Sequence, residues 1–182
     1  MEDYMKMVNS SMAVVTRPGS TAPFDAAKRE ASSVQTLIGL VILGLVGGIV
    51  GLIQGGGVGG LITAPIFTIV VFYIFSGILY VLAKVFGGTG DFTVQSYLLS
   101  LVAVPTGIVN SVLGLVPVVG ILSIVVGLYA IFLDVYAIKS SHALDTTKAA
   151  VVVLIPVVVV IVLIALFGAA LGLAFLTGMQ GG

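Results

Sequence analysis

Five runs of apolar residues, at about 34–53, 61–85, 94–114, 117–138 and 147–176, dominate the 182-residue sequence. Each is long enough to cross the roughly 30 Å hydrocarbon core of a bilayer, which takes about 20 helical residues. Backbone N–H and C=O groups inside a bilayer must be satisfied without water, so runs of this length read as helices and the fold class as all-α. The chain is 59% apolar and only 8% charged, a balance far outside that of soluble domains. The predicted protein is a polytopic helical membrane protein with five transmembrane helices in a domain over 34–176, a polar lead over 1–33 and a short external tail over 177–182. The first run starts near Val34, too late and too long for a cleaved signal peptide, and is expected to stay as an anchor.

The loop charges set an orientation. Lys6, Arg17, Lys28 and Arg29 lie in the lead, Lys84 at the second connection, and Lys139 and Lys148 at the fourth, which together are all 7 basic residues. The loops 54–60 and 115–116 and the tail hold none. The positive-inside rule then predicts an N-in/C-out topology. Zero net charge and the lack of a basic face exclude nucleic acid as a partner. With no cysteine, disulfides, thiolate metal sites and cysteine nucleophiles are excluded as well.

Small residues indicate where helices approach closely. Gly44, Gly47, Gly48 and Gly51 give two overlapping GxxxG patterns in the first run, and Gly168 and Gly172 a third in the fifth, so contact between these two spans is expected. Ser100, Ala103, Gly107, Asn110 and Gly114 share one face of the third run; Ser123, Gly127, Ala130, Asp134 and Ala137 share one face of the fourth. With only Leu115 and Val116 between them and Pro117 suited to open the next helix, these two spans are expected to form an antiparallel hairpin with small faces inward. In the lead, Met1, Tyr4, Met5, Val8 and Met12 recur at helical spacing, which fits either an amphipathic helix on the membrane surface or a flexible tail.

The polar turn after the fourth run holds the candidate functional residues. Asp134 is an acid inside an apolar segment, where an unpartnered charge is costly. Lys139, His142 and Lys148 are on the same side of the membrane, so an ion pair or interfacial hydration is the structural alternative to a functional role. His142 has no spaced second ligand, a poor metal signal, and is expected to be exposed or to cap a helix. Asp145 is expected to cap the fifth span, and Asp91 the third after a flexible Gly87–Gly90 connector. No catalytic, cofactor or metal residues are assigned.

The stretch from Gly87 to Pro156, with GGTGDF, the AVP at Ala103–Pro105, VPVVGIL and LYAIFLDVYAIKSSHALDTTKAAVVVLIP, resembles the Yip family. These are five-span proteins named for interaction with Ypt/Rab GTPases in eukaryotes and found also in bacteria and archaea. Pro117, Gly120, Tyr129, Leu133, Lys139, His142, Lys148 and Ala149 fall where similar prokaryotic members carry related residues. The DLYGP motif of eukaryotic members is missing, and Ala137 and Ala143 stand where glycine is expected. The resemblance implies a prokaryotic-type, non-enzymatic integral membrane protein that binds partners or organises membrane, in the cell membrane if the source is prokaryotic. It carries over no catalytic residues. Expected partners are the lipid bilayer, a protein at the cytoplasmic face and a second copy of the chain; a small oligomeric transporter or channel is the alternative.

Overall fold

A computed structural model describes residues 2–116 and 119–180, the side chains of 2–4, 120 and 171–180 excepted. The helices are α1 (Glu2–Thr16), α2 (Ala22–Ala27), α3 (Ser33–Ile53), α4 (Gly60–Val85), α5 (Phe92–Leu113), α6 (Gly120–His142) and α7 (Thr146–Gln180), with a 3₁₀ turn at Lys28–Glu30. Five of them, α3 to α7, are long and apolar enough to cross a membrane. The helix starts follow from local chemistry. Ser32, in extended conformation, accepts from the Gln35 N–H, and the Asp91 carboxylate accepts from the Thr93 and Val94 N–H groups, each satisfying donors that the first turn leaves open. Asp145 does the same for the Lys148 N–H at 2.9 Å, so both expected acidic caps form. Pro117 and the tail beyond 180 lie outside the described residues.

α4 ends in a Schellman motif: Gly87 sits at φ +89°, with Gly87 N–H donating to Lys84 C=O and Gly88 N–H to Ala83 C=O. α6 ends on Ala143 at φ +54°, a left-handed position that an L residue occupies at a cost and where glycine would be free of it.

Helix pairing corrects the expected partners of the small faces. α3 lies along α4 and α5, while α7 lies along α6 and α4. A Cβ on Gly44 would overlap the Pro65 backbone, and one on Gly48 would sit 2.9 Å from the Gly60 carbonyl oxygen, so this GxxxG face closes the first and second spans, not the first and fifth. Gly168 meets nothing within 4 Å, and the surroundings of Gly172 lie outside the described residues. α5 and α6 do pair as expected, but not through their glycines. Gly107 abuts Leu43 of α3, where a Cβ would come within 2.8 Å of a methyl carbon, and Gly127 faces open space.

The packed core gathers at one end of the bundle, where α4 and α6 finish and α3, α5 and α7 begin. Leu79 and Ala83 of α4, Tyr97, Leu98, Leu101 and Val102 of α5, Leu133, Ala137 and Ile138 of α6, and Ala149, Val152 and Val153 of α7 form one cluster, and the lead adds Val14, Phe24 and Ala27 to it. At the far end α7 is exposed from Val158 through Ala170, and Ile121, Leu122, Ile124 and Val125 of α6 are exposed as well. The lead is neither a free tail nor a helix resting on the bundle's surface alone. α1 packs on α5 with Met7, Ser11 and Val14 buried, because these three share one face at helical spacing while Met5, Val8 and Met12 point outward.

Candidate functional site

A chain of polar groups runs through the packed end, linking α4, α5 and the loop between them to the distant end of α6. The Gly90 N–H donates to His142 Nδ1 at 3.2 Å, which leaves Nε2 to carry the ring proton and donate to Gln95 Oε1 at 2.7 Å. Gln95 Nε2 in turn donates to the Ser76 carbonyl at 2.7 Å and to Ser76 Oγ at 3.1 Å, and Ser76 Oγ lies 3.0 Å from Ser96 Oγ. The Thr89 N–H closes the loop on the His142 carbonyl at 3.1 Å. Buried polar groups are costly unless paired, and here the chain pairs them across α4, α5 and α6.

His142 is 1% exposed, which corrects the exposed or capping placement expected for it. The reason is the Gly87–Gly90 connector, which is docked and not a free linker. A Cβ on Gly90 would overlap the Ser141 carbonyl and one on Gly88 would come within 2.8 Å of His142 Nδ1, so only glycine lets the loop close over the ring. The Tyr80 ring covers another side of the imidazole at 5.6 Å between centroids, and Lys84 places its ammonium 5.2 Å from the Tyr80 ring centre.

The lead is tied to α6 at two points. Tyr129 donates its hydroxyl to the Val15 carbonyl at 2.5 Å, taking up one of the carbonyls α1 leaves unpaired at its C-terminus. Nearer the end of α6, Ser140 Oγ donates to Asp25 Oδ1 at 2.7 Å, and Lys28 pairs with the same oxygen at 2.9 Å. Partial burial pushes the Asp25 carboxyl up, but hydrogen bonds from Lys28, Ser140 and Thr21 outweigh it and hold the group below its ordinary range. Around this contact lies a cleft of about 250 Å³ lined by Thr21, Asp25, Lys28, Lys139, Ser140, Ala143 and Leu144.

The four candidate polar residues are not brought together. Lys139 borders the cleft and donates to Thr146 Oγ1 at 2.8 Å, His142 is enclosed in the polar chain, and Lys148 stands exposed in the first turn of α7. Asp134 is half-buried on the side of α6 that carries the buried Ala137, Ile138 and Ser141. Of the two structural alternatives, an ion pair or interfacial hydration, the ion pair with Lys139, His142 or Lys148 is not formed. Among the described residues Asp134 has no hydrogen bond or ion pair.

Gln95, Ser76 and Ser96 were not singled out from the sequence. Their signal was present nonetheless: a glutamine and two serines inside otherwise apolar helices have to find polar partners. Tyr129 likewise reads as an ordinary span residue until α1 is placed beside it.

The fold defines an integral, multi-pass helical membrane protein whose packed end is built jointly by the lead and the spanning helices. Residues 12–167 match the Yip1 domain family, and the chain belongs to that family. The match takes in the last turn of α1, the tyrosine contact on it, and all five spans as far as the first two-thirds of α7. A search of curated proteins and a search of solved structures each returned no match.

Proposed function

We propose that the protein does no chemistry of its own and works as a membrane-embedded docking platform, with its packed end in the cytoplasm and a protein partner received at the lead–α6 cleft. The observation that carries this reading is the Asp25–Ser140 contact. It joins the lead to the last turns of α6 and so builds one polar surface from two distant segments. The exposed Arg17, Arg29 and Lys148 stand on segments at the same end, which suits a partner surface bearing acidic groups. Lys84, Lys139 and Lys148 lie at this end, and the positive-inside rule turns an end so charged toward the cytoplasm. The reading without catalysis is supported by His142, the chain's single histidine, whose two ring nitrogens are both committed to neighbouring groups. Members of the family interact with Rab GTPases, which makes small GTPases the first partners to try.

A second reading, an oligomeric transporter, is favoured by Asp134. Its carboxylate lacks a partner within the described chain, and a polar group in a spanning helix is a functional candidate for that reason.

The test is recovery of partners from native membranes with the intact protein and with Lys139→Glu, whose side chain borders the cleft, alongside flux measured in proteoliposomes. A partner lost in Lys139→Glu with no flux supports the platform. Flux that is abolished by Asp134→Asn, with no partner recovered, supports the transporter and overturns the platform.

A further inference from the structure

Between α1, α3 and α5 runs an apolar groove of about 270 Å³, walled by Met7, Val8 and Met12, by Ile38, Gly39 and Ile42, and by Val104, Pro105 and Ile108. Gly39 lies six residues and Ile42 nine residues into α3, so at 1.5 Å per residue the groove opens roughly 9 to 14 Å along α3 from its start. It therefore lies within the thickness of the spanning helices. Val8, Met12 and Ile42 are exposed along its rim.

Apolarity alone does not single out a lipid in a bilayer, where tails are as apolar as the groove. The second observation is Ser11, which also lines the groove. It is 8% exposed as a residue, its hydroxyl oxygen is accessible and not fully buried, and among the described residues that hydroxyl has no hydrogen-bond partner. Thr16, Thr36, Thr106 and Ser111 each return their hydroxyls to the carbonyl four residues back; Ser11 does not. A hydroxyl that faces an apolar setting is costly until an acceptor reaches it.

We propose that the groove holds one chain of a glycerolipid from the leaflet at the packed end, with the Ser11 hydroxyl donating to an oxygen of the lipid's glycerol linkage. The flexible side chains of Met7 and Met12 suit a flexible guest. A Cβ on Gly39 would come within 2.6 Å of Met7 Cε and 3.1 Å of a Val104 methyl, so the absence of a side chain there keeps the groove open.

The test uses protein in phosphatidylcholine vesicles containing a trace of phosphatidylcholine with a diazirine in one acyl chain, photolysed and mapped by mass spectrometry. Labelling is expected to concentrate at least fivefold on Met7–Met12 and Val104–Ile108 over the exposed stretch Val158–Phe167, which reports unspecific lipid contact. Ile42→Trp, which fills the groove from its exposed rim, is expected to bring the ratio to about one in protein of unchanged thermal stability, and Gly39→Leu to do the same at some cost in stability, since its Cβ meets Met7 and Val104. Ser11→Ala is expected to lower it at least twofold. A ratio near one in the native protein, or one unmoved by a folded groove-filling variant, overturns the site; a ratio unmoved by Ser11→Ala overturns the linkage contact.

Discussion

His142 and Gln95 meet through a 2.7 Å hydrogen bond although they stand on different helices and 47 residues apart. The bond ties the end of α6 to the beginning of α5, and through the Gln95 amide it reaches Ser76 of α4. Removing one partner leaves the other buried and unsatisfied. Gln95→Leu is expected to destabilise the protein by about 1–3 kcal/mol, the cost of orphaning a buried polar group. Thermal unfolding in detergent checks this; a variant as stable as the native protein would mean that the imidazole finds another acceptor.

The glycines divide into two groups with opposite expected outcomes. Gly90→Ala drives a Cβ into the Ser141 carbonyl and is expected to cost about 3 kcal/mol, the upper end for overpacking. Gly127→Leu meets open space and is expected to stay within about 0.5 kcal/mol of the native protein. Unfolding midpoints of the two variants, measured side by side, decide whether the loop or the α6 glycine face is the tight contact.

Asp25 gives the lead a pH dependence. Its folded carboxyl titrates below the unfolded value, so the contact with Ser140 and Lys28 is fully present above the unfolded pKa of about 4 and is lost as pH falls through the folded one. Limited proteolysis across Pro18–Ser33 is expected to be slow at neutral pH and to accelerate below about pH 4, and Asp25→Asn is expected to remove most of that step.

Ala143 is a position the fold would rather give to glycine. The left-handed conformation costs an alanine about 1–2 kcal/mol, and a glycine gives back about 0.5–1 kcal/mol in chain entropy. Ala143→Gly is therefore expected to raise stability by about 0.5–1 kcal/mol, read as a higher unfolding midpoint. A lower midpoint would show that the alanine methyl makes a contact worth more than the backbone cost.

The spans were legible because bilayer thickness converts directly into a count of apolar residues, and the Asp91 and Asp145 caps because a carboxylate before a helix has one obvious use. Lys84, Lys139 and Lys148 stand where α4 and α6 end and α7 begins, at one end of the bundle. Helix partners were not legible. Gly44 and Gly48 announce a close approach without naming the backbone that approaches, and Pro65 answers where a glycine of the fifth span was expected. His142 was misplaced because its burial depends on two loop glycines and a glutamine in another helix, relationships that spacing along the chain does not carry. The docked lead was half visible: its periodic methionines give the helix, but the bond from Tyr129 to Val15 belongs to the fold alone.

The central claim, that the lead and the end of α6 form one cytoplasmic surface, is tested most directly by replacing Asp25 and Ser140 with cysteine in this cysteine-free chain. A short bis-maleimide applied to intact cells in membrane-permeant form is expected to join the two positions in most molecules, and prior treatment with an impermeant maleimide from outside is expected to leave the yield unchanged. Absence of the cross-link, or its loss after external treatment, would contradict the account.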